Sequence, residues 1–146
     1  MTAKRIFTIG YEGATQPELI AALRAAGVER VIDVRAVPMS RKPGFSKNVL
    51  AAGLKEAGID YVHLRALGTP PAGREAARKG RMDEMNRIYA AQLETPEAGA
   101  EAAQMIALAE EKPSALLCFE RAPAHCHRTP LREAMMPGWE PVDLYA

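Results

Sequence analysis

Short apolar runs of strand length alternate with capped, amphipathic segments of helix length along nearly the whole chain. A run of four to six apolar residues is what a strand shows when a parallel sheet is covered on both faces. Such runs read at Arg5–Ile9, Val31–Val34, Asp60–Leu64, Ala115–Phe119 and Val142–Tyr145. The segments between them carry helix signals. Thr15 is an N-cap with Glu18 three residues on, as in a capping box, and Gly27 suits the stop. Leu19, Ile20 and Leu23 form the apolar stripe of that helix. Ser46 can cap the next one, with Val49, Leu50 and Leu54 inward and Gly58 at its end.

The turn residues of Gly68 to Gly73 predict a loop there, followed by a helix from Arg74 to Leu93 broken near Gly80. Thr95 and Pro96 open a helix reaching about Glu111, and Thr129 and Pro130 open a last short one. Strands separated by helices are βαβ units. The expected fold is therefore a single three-layer α/β domain over residues 1–146, with a mostly parallel sheet flanked by helices. The first, second and fourth runs are the most continuously apolar, which places them side by side near the sheet centre.

Composition removes some function classes. Nineteen basic against eighteen acidic residues leave a net charge of +1, so no bulk field calls for nucleic acid or an anionic membrane. No apolar run approaches the ~20 residues of a membrane span. The start, MTAKRIFTIGYEG, lacks the apolar stretch of a signal peptide. With only two cysteines in the chain, the expected location is the cytoplasm and the expected state is two free thiols.

In open parallel sheets, ligands bind outside the carboxyl ends of the strands. The unusual polar residues fall at those ends. The first strand runs into Gly10, Tyr11 and Glu12, and the second into Asp33 and Arg35, followed by the basic stretch Arg41 to Lys47. The third brings His63, the fourth Cys118 and Glu120, and the last helix is preceded by His125, Cys126, His127 and Arg128. Asp33 and Arg35 are two apart on a strand and share a face, as do Cys118 and Glu120. The plain alternative for Asp33 is an internal ion pair that ties loops down.

Four readings compete for residues 118–128. Cys118, Cys126 and the histidines are ligand types for zinc or iron, though the spacing is no standard knuckle. Cys126 can be a reactive thiol beside cations and a helix start. Arg128, just before Thr129 and Pro130, can anchor an anion at the helix N-terminus together with Arg35 or Arg41. The loop can also be purely structural, with Arg128 turned inward to close it against Glu120 or Asp33. Cys126 and Arg132 have the spacing of a cysteine-phosphatase loop, but His127, Pro130 and Leu131 are not the small residues that such a phosphate cradle needs. The stretch RKPGFSK sets three cations around Phe45, and reads either as a nucleotide or nucleic-acid clamp or as a solvated loop with Phe45 packed down.

FTIGYEG, VIDVRAVPMSRKPGFSK, GIDYVHLRALGTP and ALLCFERAPAHCHR, in that order, together resemble the domain-of-unknown-function family 488 over nearly the whole chain. Many relatives have a His-Ser pair after the first Ile-Gly. Here those positions are Tyr11 and Glu12, so no role of that histidine carries over. Cys118, Glu120, Cys126, His127 and Arg128 match the family pattern. The resemblance implies an intact domain and supplies no activity.

The leading functional expectation is an enzyme acting on a small or nucleotide-like anionic substrate. Arg35, Arg41, Arg128 and Tyr11 would hold the substrate; Cys126, His127, Asp33, Glu120 and His63 are the catalytic candidates. The runner-up is a non-catalytic module for a nucleotide or nucleic acid, and a zinc or iron site stands third. No membrane partner is expected, and the sequence sets no cofactor, reaction class or oligomeric state.

Overall fold

The computed structural model describes residues 4–121 and 127–146. Five strands form one sheet, all parallel: β1 (Arg5–Gly10), β2 (Arg30–Asp33), β3 (Asp60–His63), β4 (Ser114–Cys118) and β5 (Glu140–Tyr145). The spatial order is β3-β2-β4-β1-β5, so the first, second and fourth strands are indeed neighbours at the centre. Their burial explains the sequence pattern. Every residue of β2 and β4, and all of β1 after Arg5, is buried, whereas the edge strand β5 alternates between exposed and partly buried positions.

Among the described residues, six helices cover the two faces. On one face α1 (Gln16–Ala25) and α2 (Lys47–Glu56) pack Leu19, Leu23, Leu50 and Leu54 against Phe7, Ile9, Val31 and Leu117. On the other, α3 (Pro71–Arg78), α4 (Met82–Leu93), α5 (Pro96–Glu111) and α6 (Arg128–Met135) bring Ala76, Met85, Tyr89, Met105 and Leu131 onto Ile6, Ile32 and Leu116. The helices after β1 and β2 thus lie on the opposite face from the one after β4, which sits between those two strands. Where neighbouring strands send their helices to opposite faces, a crevice opens at their carboxyl ends.

Side-chain caps account for two of the helix starts. The Thr15 hydroxyl accepts from the Glu18 amide while the Glu18 carboxylate accepts from the Thr15 amide, a complete capping box. Thr95 caps α5 in the expected way. Ser46 precedes α2 but makes no capping bond; its Oγ accepts from the Ser40 amide and donates to the Ser40 carbonyl, closing the basic loop instead.

Three expectations are corrected. The loop read over residues 68–73 ends early, because Pro70 caps and Pro71 begins α3; proline is at home in a first turn, where an amide has no partner to lose. The last helix begins at Arg128, ahead of Thr129 and Pro130, so Arg128 is its first residue rather than its preceding loop. Pro130 still lies within the first turn, where a missing N–H breaks no helical bond. Finally, Cys118 is disulfide-bonded, against the expectation of two free thiols. That expectation rested on compartment, and the buried position of Cys118 at the end of β4 had no part in it. No helix among the described residues is long and apolar enough to cross a membrane.

Candidate functional site

The strand exits knit together before they form a site. Past the end of β1, the Tyr11 amide donates to the Cys118 carbonyl and the Glu12 amide to Phe119, continuing the ladder to β4. The Glu12 carboxylate then accepts from the Arg121 amide at 3.1 Å. Gly10 is required by this closeness: a Cβ there would lie 1.7 Å from the Glu120 carbonyl oxygen.

Beneath the exits lies a buried ion pair. Asp33 is fully buried at the end of β2 and Arg35 nearly so. Arg35 Nε donates to Oδ1 and Oδ2 of Asp33 at 2.9 and 3.1 Å, and Nη2 donates to Oδ2 at 2.7 Å. Nη1 donates to the Phe45 carbonyl at 2.7 Å and to the Tyr11 hydroxyl at 3.3 Å. Of the five guanidinium protons the last, on Nη2, is engaged by the Tyr61 hydroxyl. Burial alone would lower the Arg35 pKa, but the bonds and charge of Asp33 outweigh it and hold it above its ordinary value. The Tyr61 hydroxyl also donates to Asp33; burial and that carboxylate push its pKa up. Phe45 is fully buried and stacks on Tyr11, with ring centroids 4.5 Å apart, so the basic loop turns its aromatic inward.

Two imidazoles grip the next backbone carbonyls. His127 Nε2 lies 2.8 Å from the Val34 oxygen, and His63 Nε2 lies 2.7 Å from the Arg35 oxygen. A carbonyl only accepts, so both nitrogens carry the proton. Burial, with Arg128 adding to it, pushes the His127 pKa down to about 4, which keeps the ring neutral near pH 7.

Above these ties lies a cleft of about 520 Å³, within the roughly 300–1,000 Å³ of small-molecule sites. Tyr11, Arg35, Phe119, Glu120 and His127 reach it from the strand exits. Arg74, Ala77 and Arg78 of α3, with Met82 and Met85 of α4, make the facing wall, and Thr69, Val37 and Met39 complete it. Its charges are unevenly matched. Arg35 belongs to Asp33, and Arg78 is 2.6 Å from Glu75. Arg74 Nε is buried without a hydrogen-bond partner, and no carboxylate pairs with this guanidinium among the described residues. Glu120 is the sole carboxylate among the described lining residues.

The structure brings together only part of the sequence-derived set. Tyr11, Arg35, Glu120 and His127 meet on the cleft wall. Asp33 lies beneath it, and His63 serves the Arg35 carbonyl; neither lines the cleft. Arg41 is exposed on its loop and does not line it either. Arg128 is completely buried. Its Nη2 donates to the Glu120 and Arg121 carbonyls at 2.9 and 3.0 Å, while Nε and Nη1 have no partner among the described residues. Burial lowers its pKa. Cys126 and His125 lie outside the described residues. No group of three or more His, Cys, Asp or Glu side chains suited to a metal ion occurs among the described residues.

Sequence reasoning missed Arg74, Thr69, Phe119 and the three methionines, Met39, Met82 and Met85. The signal for α3 was present: Arg74, Ala77 and Arg78 sit at i, i+3 and i+4, one helical face. The helix was read from Arg74 onward, but no local pattern says that this face of it lies over the strand exits.

Residues 15–135 of the chain match the family described as Domain of unknown function DUF488. The chain belongs to this family. The match runs from the cap of α1 to the end of α6 and so contains nearly all of the cleft, with Tyr11 just ahead of it. No curated protein and no solved structure matches the chain.

Proposed function

We propose that this DUF488 protein is an enzyme that acts on a small anionic molecule held in the cleft over β2, β4 and β1. Arg74 is the principal anion ligand, and Glu120 is the group placed to move a proton. The observation that carries this reading is Arg74: a guanidinium on a cleft wall with a buried, unpartnered donor. A guanidinium on a cleft wall with no carboxylate paired to it among the described residues is free to hold an anion through its planar fork of donors. Arg128, the anchor that sequence favoured, is buried on the Glu120 and Arg121 carbonyls, and Arg35 is engaged by Asp33, Tyr61, Phe45 and Tyr11, so it orients Tyr11. His127 stays neutral, so it shapes the wall and holds the β2 exit while Glu120 does acid-base work.

The test is thermal unfolding at constant ionic strength with chloride exchanged for inorganic phosphate. Phosphate should raise the midpoint saturably, as a ligand of the folded state does. Arg74→Gln should abolish the rise, while Arg41→Gln, on the exposed loop, should leave it. An identical response in wild type and Arg74→Gln would sink the reading.

A further inference from the structure

Five large apolar side chains stand exposed among the described residues: Val37, Met39, Val49, Phe119 and Tyr145. Three of them, Val37, Met39 and Phe119, line the one cleft that also holds the unpartnered arginine. Scattered exposed apolar residues are ordinary, but apolar residues collected at a polar cavity mark a binding surface. Phe119 is the most informative. Its ring meets Tyr11 edge to face at 5.4 Å, and Tyr11 is itself fixed against Phe45 and under the Arg35 guanidinium. The ring is thus oriented by a rigid stack, yet 45% of Phe119 remains exposed. Met39 is 73% exposed beside the same cleft, and methionine suits an aromatic partner.

Volume points the same way. A water takes roughly 30 Å³, and a phosphate-sized anion on the order of two to three times that. Either would leave most of a 520 Å³ cleft unfilled. The Val37, Met39 and Phe119 surface would then stay wet.

We infer that the cleft takes a phosphate monoester carrying an aromatic ring or base, with the phosphate on Arg74 and the ring against Phe119 and Met39. This deepens the proposed function and rests on it. Arg74 supplies the charge complement, and the oriented Phe119 ring supplies a stacking surface that favours flat groups over alkyl chains of equal size.

Calorimetric titration of the intact protein with inorganic phosphate, n-hexyl phosphate, phenyl phosphate and adenosine 5′-monophosphate tests it. The two ring-bearing esters should bind about tenfold or more tighter than inorganic phosphate, the gain of one ring contact, and tighter than the hexyl ester. Phe119→Ala should remove that gain and leave phosphate affinity unchanged, as should Met39→Ser in part. Both positions are exposed, and unfolding midpoints near wild type would confirm that the variants fold. Equal affinity for phosphate and phenyl phosphate, with both lost in Arg74→Gln, would overturn this inference while sparing the proposed function. Binding of none of the four would overturn both. A stable dimer that dissociates on Phe119→Ala and excludes the esters would show a second copy on the apolar mouth and overturn the ring site.

Discussion

Replacing Asp33 with alanine would strand the Arg35 guanidinium inside the protein. Asp33 is 0% exposed and the Arg35 side chain 6%, so water cannot take the place of the lost carboxylate. Arg35 would lose the bonds from Nε and Nη2 to Asp33 and keep those from Nη1 to the Phe45 carbonyl and Tyr11 hydroxyl. The Tyr61 hydroxyl would lose its acceptor as well. Breaking a buried pair from one side costs about 3–5 kcal/mol, against about 0–1 kcal/mol for an exposed one. The chain carries its own control. Arg30 pairs with Glu111 at 2.9 Å, but the Glu111 side chain is 62% exposed. Urea unfolding at pH 7 should therefore show Asp33→Ala losing about 3–5 kcal/mol, and Glu111→Ala no more than about 1 kcal/mol. At roughly 2–4 °C per kcal/mol for a domain of this size, the first loss is a fall in Tm of about 10 °C. An Asp33→Ala loss below about 1 kcal/mol, with unchanged urea dependence, would refute the claim that this pair is desolvated and holds the strand exits.

The remaining predictions concern groups around the cleft. His127 is neutral in the fold down to about pH 4 but takes a proton near 6.5 when unfolded. Between those values the unfolded chain binds more protons, so stability should fall as pH drops from 6.5 toward 4, by an amount on the order of 3 kcal/mol. Urea midpoints over that range should show the fall, and His127→Gln should flatten it. Gly10→Ala drives a Cβ into the Glu120 carbonyl. It should cost about 1–3 kcal/mol or more by calorimetric unfolding, as overpacking does. Arg128→Lys keeps the charge but cannot span the Glu120 and Arg121 carbonyls as the guanidinium does. A Tm drop equivalent to about 1–3 kcal/mol is expected; unchanged stability with weakened phosphate binding would make Arg128 an anion ligand instead of a tie.

The layered fold was legible in the chain because its signals are local. Apolar runs of strand length, the Thr15–Glu18 box and the Thr95-Pro96 start each state their element within a few residues, and burial on both faces makes the body of β4 and the Val31–Ile32 centre of β2 apolar. The clustering of Tyr11, Arg35, Glu120 and His127 was legible for a related reason: in a parallel sheet all carboxyl ends share one edge. What each side chain does there was a matter of distance across the fold. Sequence singles out Arg128, with Arg35 or Arg41, as the anion site and passes over Arg74. Tertiary packing gives Arg35 to Asp33, turns Arg128 onto two backbone carbonyls, leaves Arg41 in solvent, and sets Arg74 on the cleft wall with a donor unmet. A guanidinium's role depends on which acceptors lie within about 3 Å and how much water remains. Those acceptors come from residues distant in the chain, such as Phe45 for Arg35, and no local pattern names them.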